Sequence, residues 1–253
     1  MKRRIESLTG FTIGSLDGEI GKVKEFYFDD MSWTIRYMIV ETGSWLFGRK
    51  VLLSPLTVVK IDWEKETFEV NLTMEQIKNS PLIDTDKPVS RQHEIELYAY
   101  YPWGNYYWGS GLWAGGMGTS GMMTSASIPF EAAIHENVDG KEADNPHLRS
   151  TDKVTGYNIK ATDGEIGDVE DFIIDESTWK IDFMLVDTGN WFPGKKVLIS
   201  PEWIKEVNWE TATVIVDASE EQVKNSPEYQ NSEQLSEMYE NNLRDYYDGV
   251  YLT

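Results

Sequence analysis

Residues 17–23 read Asp-Gly-Glu-Ile-Gly-Lys-Val, and residues 163–169 read Asp-Gly-Glu-Ile-Gly-Asp-Val. The similarity extends outward from this stretch. Residues 8–81 align with residues 154–227 without a gap, every partner lies 146 positions further on, and 34 of the 74 pairs are identical. Self-similarity at a fixed spacing indicates that one structural unit occurs twice. The sequence therefore predicts the tandem duplication of one small domain.

Each copy has the pattern of short strands separated by turns. The Asp-Gly pair at residues 17–18 lies between stretches rich in β-formers and indicates a hairpin turn, because glycine adopts positive φ at no steric cost. The irregular apolar spacing that follows predicts a β-bulge near Gly21. Further strands are predicted over Trp33–Val40, with Trp33, Ile35, Tyr37 and Ile39 on one face, and in residues 50–55, 58–63 and 67–71.

A short helix follows the strands of each copy. Thr73 with Gln76 forms the capping-box pattern of a helix start, and Ser219 with Gln222 repeats it. Strands this short would leave bare edges unless the sheet closed or nearly closed on itself. The predicted fold class is therefore mainly β: two tandem small β-barrels, each with a short helix and a helical arm.

The ordered set of motifs resembles the PRC-barrel domain. The resemblance rests on residues 17–23, Phe26, Asp29, and residues 33–37 and 50–55, and it covers both copies. That family takes its name from the cytoplasmic part of the photosynthetic reaction centre H subunit, and it also supplies the C-terminal domain of a ribosome maturation factor. The resemblance implies a β-barrel used for docking, without a known catalytic centre.

The repeat continues beyond the barrels. At the same offset, residues 90–101 share further identities with residues 236–247, including a pair of tyrosines near the end of each stretch. We therefore predict helical arms at roughly Ser90–Tyr101 and Glu233–Tyr247. An isolated helix of about 12 residues is marginal in water, so each arm needs its own barrel, the other barrel or a second chain to pack on. The two barrels can pair about a pseudo-two-fold axis within the chain, or chains can form a homo-oligomer.

The predicted domains are a first PRC-barrel-like unit with its arm at residues 1–101, an insertion at residues 102–149, and a second such unit with its arm at residues 150–253. The insertion is rich in glycine, which favours a flexible segment, and in aromatic residues, which are frequent anchors at interfaces. It is either a linker whose aromatic side chains contact the barrels or an ordered patch that binds a partner. Its candidate contact residues are Trp103, Tyr106, Tyr107, Trp108 and Trp113.

Composition restricts the function classes. The chain has no cysteine, which excludes disulfides, thiolate metal sites and cysteine nucleophiles. Its formal charge of −20 opposes direct binding to nucleic acids or to an anionic membrane. The sequence has neither a long apolar run nor the apolar core of a signal peptide, so we expect a soluble cytoplasmic protein without a membrane span.

Residues suited to catalysis or metal binding form no pattern that specifies a site. His93, His135 and His147 lie between the barrels, and none recurs in the second copy, so we predict surface histidines. The recurring acids, such as Asp17 and Asp29, are explained by turn positions. P-loop and nucleophile-elbow motifs are also absent. The sequence therefore predicts neither an enzyme nor a bound cofactor or metal.

Two recurring features are candidates for contact with a partner. The basic pairs follow a loop glycine, where they either meet an anion or an acidic partner or keep the exposed start of a strand soluble. One tryptophan of each copy also lies in that glycine-bounded loop, where exposure is easier than within a strand. The candidate residues are Trp45, Arg49, Lys50, Trp191, Lys195 and Lys196.

Two functional hypotheses follow from the sequence. The first is a non-catalytic protein-binding or adaptor module whose protein partner the sequence does not identify. The alternative is a ribosome-assembly or RNA-metabolism factor that acts through a basic protein partner, and it rests on the resemblance to the ribosome maturation factor.

Deletion of residues 102–145 tests the predicted domain organisation. We expect the shortened chain to keep both β units folded, because the insertion carries none of the strand pattern. Circular dichroism should show an unchanged β signal, and thermal unfolding should stay cooperative. Loss of folding on this deletion would contradict the prediction.

Overall fold

The computed structural model describes residues 1–80, 148–189, 195–230 and 235–251. These residues form two mixed sheets of seven strands each, and the fold is mainly β, as predicted. We refer to residues 1–80 as the first half and to residues 148–251 as the second half. The predicted arm at residues 90–101, most of the insertion and all three histidines lie outside the described residues.

The elements of the two halves follow the same order. Those of the first half are β1 (Lys2–Arg4), β2 (Thr12–Gly14), β3 (Glu19–Asp29), β4 (Thr34–Thr42), β5 (Lys50–Leu53), β6 (Val58–Asp62), β7 (Thr67–Val70) and helix α1 (Met74–Lys78). Those of the second half are β8 (Leu148–Ser150), helix α2 (Thr151–Val154), β9 (Asn158–Lys160), β10 (Glu165–Asp175), β11 (Ile181–Asp187), β12 (Lys196–Ile199), β13 (Ile204–Asn208), β14 (Thr213–Val216), helix α3 (Glu220–Asn225) and helix α4 (Glu237–Tyr251). Short 3₁₀ turns occupy Ile5–Leu8, Ser44–Leu46, Pro55–Thr57 and Pro201–Trp203.

The two sheets have the same topology. The first runs β5-β4-β3-β2-β7-β6, and the second runs β12-β11-β10-β9-β14-β13. The β2–β7 and β9–β14 pairs are parallel, whereas the other pairs are antiparallel. Among the described residues no ladder joins β5 to β6 or β12 to β13, so hydrogen bonding does not close either sheet into a barrel.

The hydrophobic core lies on both faces of the central strands. Ile35, Tyr37 and Ile39 are buried on one face of β4, as the alternation predicts, but Met38 and Val40 on the other face are buried as well. A strand that is covered on both sides reads as a nearly continuous apolar run, which hides its alternation. Trp33 precedes β4 and takes a left-handed backbone conformation (φ 52°), so the strand begins one residue later than predicted.

The predicted bulge and helix caps are confirmed. The register of the β2–β3 pair shifts between Glu19 and Gly21. A side chain at Gly21 would place its Cβ 2.0 Å from the carbonyl oxygen of Glu41. This approach requires glycine at position 21, next to the bulge. The capping boxes are present on α1, with Thr73 and Gln76, and on α3.

Each half donates one strand to the sheet of the other half. Strand β1 pairs antiparallel with β10, and strand β8 pairs antiparallel with β3. The exchange is reciprocal and in matching register, because Arg3 lies opposite Ile174 and Arg149 lies opposite Phe28, each partner again 146 positions from its counterpart. Strand β8 begins at Leu148, inside the segment assigned to the insertion from the sequence.

We call the contacts between the halves the seam, and its centre is the bridge between Thr34 and Lys180. There the amide of Ile35 donates to the carbonyl of Trp179 (2.8 Å), and the amide of Ile181 donates to the carbonyl of Trp33 (2.7 Å). These two bonds are equivalent under the 146-residue offset. The seam therefore has the pattern of a pseudo-two-fold axis that passes between Thr34 and Lys180.

Two equivalent arginines cross the seam. The Arg3 guanidinium lies 3.7 Å from the ring centroid of Trp63 in its own half and bonds Glu176 of the other half at 2.5 Å. Arg149 repeats both contacts: it lies 4.2 Å from the ring centroid of Trp209 and bonds Asp30 at 2.7 Å. Cation–π contact and ion pairing together fix each exchanged strand on its new sheet.

The C-terminal arm is a helix, as predicted, and α4 packs on the second half. Tyr247 stacks on Trp203 with ring centroids 4.0 Å apart, and Leu243 is fully buried. The hydroxyl of Tyr246 donates to the carbonyl of Gln222 (2.7 Å). The amino group of Lys2, on the exchanged strand β1, bonds Glu240 of the helix. The arm thus covers its own half together with the strand that this half receives.

The bulge glycine provides a test of the fold. Gly21→Ala should lower the free energy of unfolding by about 3 kcal/mol, because the new methyl group overlaps the Glu41 carbonyl. Gly14→Ala is the matched control, since its nearest contact would be 3.7 Å away, and it should change stability by less than about 1 kcal/mol. Urea denaturation of both variants measures the difference, and equal losses would contradict the proposed role of the bulge.

A second test concerns Asp29, at the end of β3. Burial alone would raise the pKa of its carboxyl group, but the hydrogen bonds from Ser32 and the charge of Arg36 outweigh burial and place that pKa below its ordinary value. Asp29 therefore stabilises the fold above the unfolded pKa of about 3.9, and this contribution is lost as the pH falls through the lower folded pKa.

Asp29→Asn should accordingly be less stable than the parent chain at pH 7, and the difference should shrink as the pH falls below about 4. Urea denaturation between pH 7 and pH 2.5 measures this, with the exposed Glu19→Gln as control. A difference between parent and Asp29→Asn that is independent of pH would contradict the assignment.

Candidate interaction surface

One end of the first sheet brings three connecting segments together. These are the hairpin at residues 15–18, the loop at residues 43–48 and the start of α1. The carboxylate of Asp17 accepts a hydrogen bond from the Met74 amide (2.7 Å), which ties the hairpin to the helix. The amide of Gly43 donates to the carbonyl of Ile20 (3.1 Å), which ties the loop to the beginning of β3. We call this end of the sheet the apolar end.

The apolar end carries side chains that the core does not cover. Phe47 is 97% exposed, and Leu16 in the hairpin is 68% exposed. Met74 packs over Gly18 beside Leu16 and is partly exposed. Large apolar side chains gathered at one end of a small domain are typical of surfaces that bind another protein.

The backbone at Phe47 is itself unusual. Phe47 takes a left-handed conformation (φ 57°, ψ 31°) at the end of the 3₁₀ turn Ser44–Leu46. For a bulky residue this conformation costs about 1–2 kcal/mol, and asparagine or glycine would adopt it more easily. Strain and exposure mean that this phenylalanine does not stabilise the fold, and strained residues of this kind cluster at functional sites.

The second copy differs in sequence at the same positions. Thr162 replaces Leu16, and Glu220 replaces Met74. Pro193, at the position equivalent to Phe47, lies outside the described residues. The apolar character is therefore a property of the first copy, whereas the framework beneath is shared: Asp163 accepts from the Glu220 amide (2.8 Å) as Asp17 does from Met74.

The basic pairs predicted as contact residues have structural partners. Arg49 donates to the carbonyls of Lys78 (2.9 Å) and Ser80 (2.6 Å), and it thereby caps the C-terminal end of α1. Lys195 likewise bonds the carbonyls of Lys224 and Ser226 after α3. Cations at helix C-termini compensate the free carbonyls and the helix dipole. These contacts occupy Arg49 and Lys195 within the fold.

The second members of the two pairs are placed differently. Lys196 bonds Glu170 on β10 (2.6 Å). Lys50 is exposed at the start of β5. Lys50 is therefore the member of the basic set that the described structure leaves most open to solvent.

Most of the aromatic candidates lie outside the described residues. The backbone of Trp45 lies in the 3₁₀ turn beside Phe47. The remaining aromatic candidates lie outside the described residues: Trp191, Trp103, Tyr106, Tyr107, Trp108 and Trp113. The sequence-based prediction followed tryptophans and charges that recur in both copies, so it named Trp45 in this loop and did not consider Phe47 or Leu16.

The acidic side chains in the described part of the chain take part in turns and helix caps. No group of three or more His, Asp or Glu side chains is placed there to hold a metal ion. The recurring acids cap and close turns: Asp17 and Asp163 cap helices, Asp29 bonds Ser32, and Asp175 bonds Ser177. Within the same residues, no helix has both the length and the apolar character needed to cross a membrane.

Comparison with known proteins supports the resemblance drawn from the sequence. Residues 152–223 match the family model of the PRC-barrel domain. This range covers α2 to α3 of the second half and confirms the predicted resemblance there. No curated protein matches the chain.

Proposed function

We propose that this chain, whose residues 152–223 match the PRC-barrel domain, is a non-catalytic protein-binding or adaptor module built from two copies of that unit. The matched topology of the two sheets and the 146-residue offset support a tandem duplication in which each copy is a barrel-type unit. In this proposal the second copy keeps the common framework, and the first copy carries the binding surface.

The observation that carries the proposal is Phe47, which is almost fully exposed on a strained backbone at the apolar end. Burying a phenylalanine in a partner contributes about 1.5–3 kcal/mol, and aromatic anchors commonly dominate interfaces. Leu16 and the partly exposed Met74 extend the surface around it. The loop and the hairpin are fixed to the sheet by backbone hydrogen bonds, so the surface is held in place before a partner arrives.

The charge of the chain favours a basic protein as partner. A net charge of −20 attracts positively charged proteins over long range and repels acidic ones. The exposed acids Glu19 and Glu75 lie beside the apolar end, on the first residue of β3 and within α1. A partner that presents an apolar side chain flanked by lysine or arginine therefore fits this surface.

A ribosome-assembly role is the alternative, since ribosomal proteins are basic and the charge favours contact with them. Co-sedimentation of the chain with ribosomal subunits at moderate salt tests it. Recovery in the subunit fractions that is lost on Phe47→Asn would place the apolar end in that contact, whereas absence from those fractions would exclude the assembly role.

Phe47→Asn separates binding from folding. Asparagine tolerates the left-handed conformation, so the free energy of unfolding should stay unchanged or rise by up to about 1 kcal/mol. Affinity for the partner should fall by about tenfold or more, as for an aromatic anchor. Partners are first captured with a photo-crosslinking residue at position 47, and binding is then measured by calorimetry.

Met31→Asn is the matched control. Met31 is 76% exposed in the turn after β3, at the opposite end of that strand, and about 30 Å from its start at 3.3 Å per residue. Its replacement should leave binding unchanged. Equal binding by the Phe47→Asn variant and the parent chain would contradict the proposed surface.

A further inference from the structure

The contacts across the seam occur in equivalent pairs, which allows the two crossings to be compared position by position. At the middle position of the exchanged strands, Arg3 bonds Glu176 and Arg149 bonds Asp30. An arginine therefore meets an acid at both crossings. This contact would form whichever two halves were brought together, so it holds the seam without selecting the partner.

The third position of the exchanged strands has diverged. The Arg4 guanidinium donates to the Asp171 carboxylate at 2.8 Å, and the Asp171 side chain is only 4% exposed. At the equivalent crossing the Ser150 hydroxyl donates to Glu25. If two second halves met, Ser150 would face Asp171, and a buried carboxylate would lose its cation. Removing one partner of a buried ion pair is strongly destabilising.

The first position has diverged as well. The Lys2 amino group lies 3.0 Å from the Asp182 carboxylate and 2.5 Å from that of Glu240. The equivalent of Lys2 is Leu148, which is buried, and the equivalent of Asp182 is Arg36. If two first halves met, Lys2 would be placed beside Arg36, and two cations in a partly buried position repel each other.

We propose that the seam encodes which halves can pair: Lys2 and Arg4 of the first half, facing Asp182 and Asp171 of the second, admit only a first half with a second half. The partner half can belong to the same chain or to a second copy of the chain, whereas two like halves are disfavoured. The seam is a different surface from the apolar end, and its selectivity is independent of the proposed function. Charge complementarity combined with like-charge rejection is a general route to such selectivity.

The test uses the full chain with a protease site introduced between residues 81 and 147 and cut after folding. A cut chain is mixed with an isotopically labelled cut chain, and native mass spectrometry counts the complexes. We expect first-half–second-half complexes, including mixed labelled and unlabelled ones, to exceed like-half complexes by about tenfold or more. A tenfold ratio of the two kinds of complex requires only a small difference in their free energies of association. Like-half complexes in comparable amounts would overturn the proposal.

A designed variant should reverse the selection. Leu148→Lys with Ser150→Arg gives the second half the cations that face Asp182 and Asp171, so complexes of two second halves should increase about tenfold. Glu165→Gln with Asp168→Asn is the control, because it adds the same charge on exposed positions of β10 away from the exchanged strand. An unchanged distribution in the designed variant, or an equal increase in the control, would overturn the proposal.

A measurement on the uncut chain covers the case in which the designed variant does not fold. Arg4→Ser should lower the melting temperature because it leaves Asp171 buried without its cation, and Arg4→Ser with Asp171→Ser should recover part of that loss. If the double variant loses as much stability as Arg4→Ser and Asp171→Ser lose in sum, Arg4 and Asp171 are not coupled and the proposal fails.

Discussion

The reciprocal exchange of two three-residue strands is the constraint on which the rest of the structure depends. Strand β1 belongs by sequence to the first half but extends the sheet of the second, and β8 does the reverse. Each sheet therefore reaches seven strands only when both halves are present. Because the exchanged strands also carry Arg3 and Arg149 onto the opposite sheet, backbone pairing and charge pairing act at the same place. Each half thus depends on the other for a complete sheet.

The two halves share a framework but differ on parts of their surfaces. Both copies keep the helix-capping aspartate, the capping box and the cation that binds the carbonyls after the short helix. Some of the differences between the halves lie at the seam, as at Arg4 and Ser150, and others lie at an exposed end of the sheet, as at Leu16 and Thr162. In the function proposed above, the second half keeps this framework and the first half carries the binding surface.

Local features were predictable from the sequence, and long-range features were not. The bulge at Gly21 and the capping box at Thr73 depend on residues within a few positions of each other, so their patterns are visible in the chain. The tandem similarity likewise indicated two units of the same kind. Strand β1, in contrast, is a Lys-Arg-Arg stretch whose partner lies about 170 positions away in the chain, and three polar residues carry no strand pattern. The exposure of Phe47 depends on a left-handed backbone angle that its own residue type disfavours.

The crossing of β8 onto β3 has a consequence for synthesis on the ribosome. The first sheet cannot receive its last strand until Leu148–Ser150 has been made, long after β3 has emerged. Until then, the β3 backbone groups opposite residues 148–150 are without their final partners and form an open sheet edge in the nascent chain. Strand β1 shows the opposite order, because it is synthesised before its partner β10. Completion of either half is therefore a late event, set by the translation of the second half.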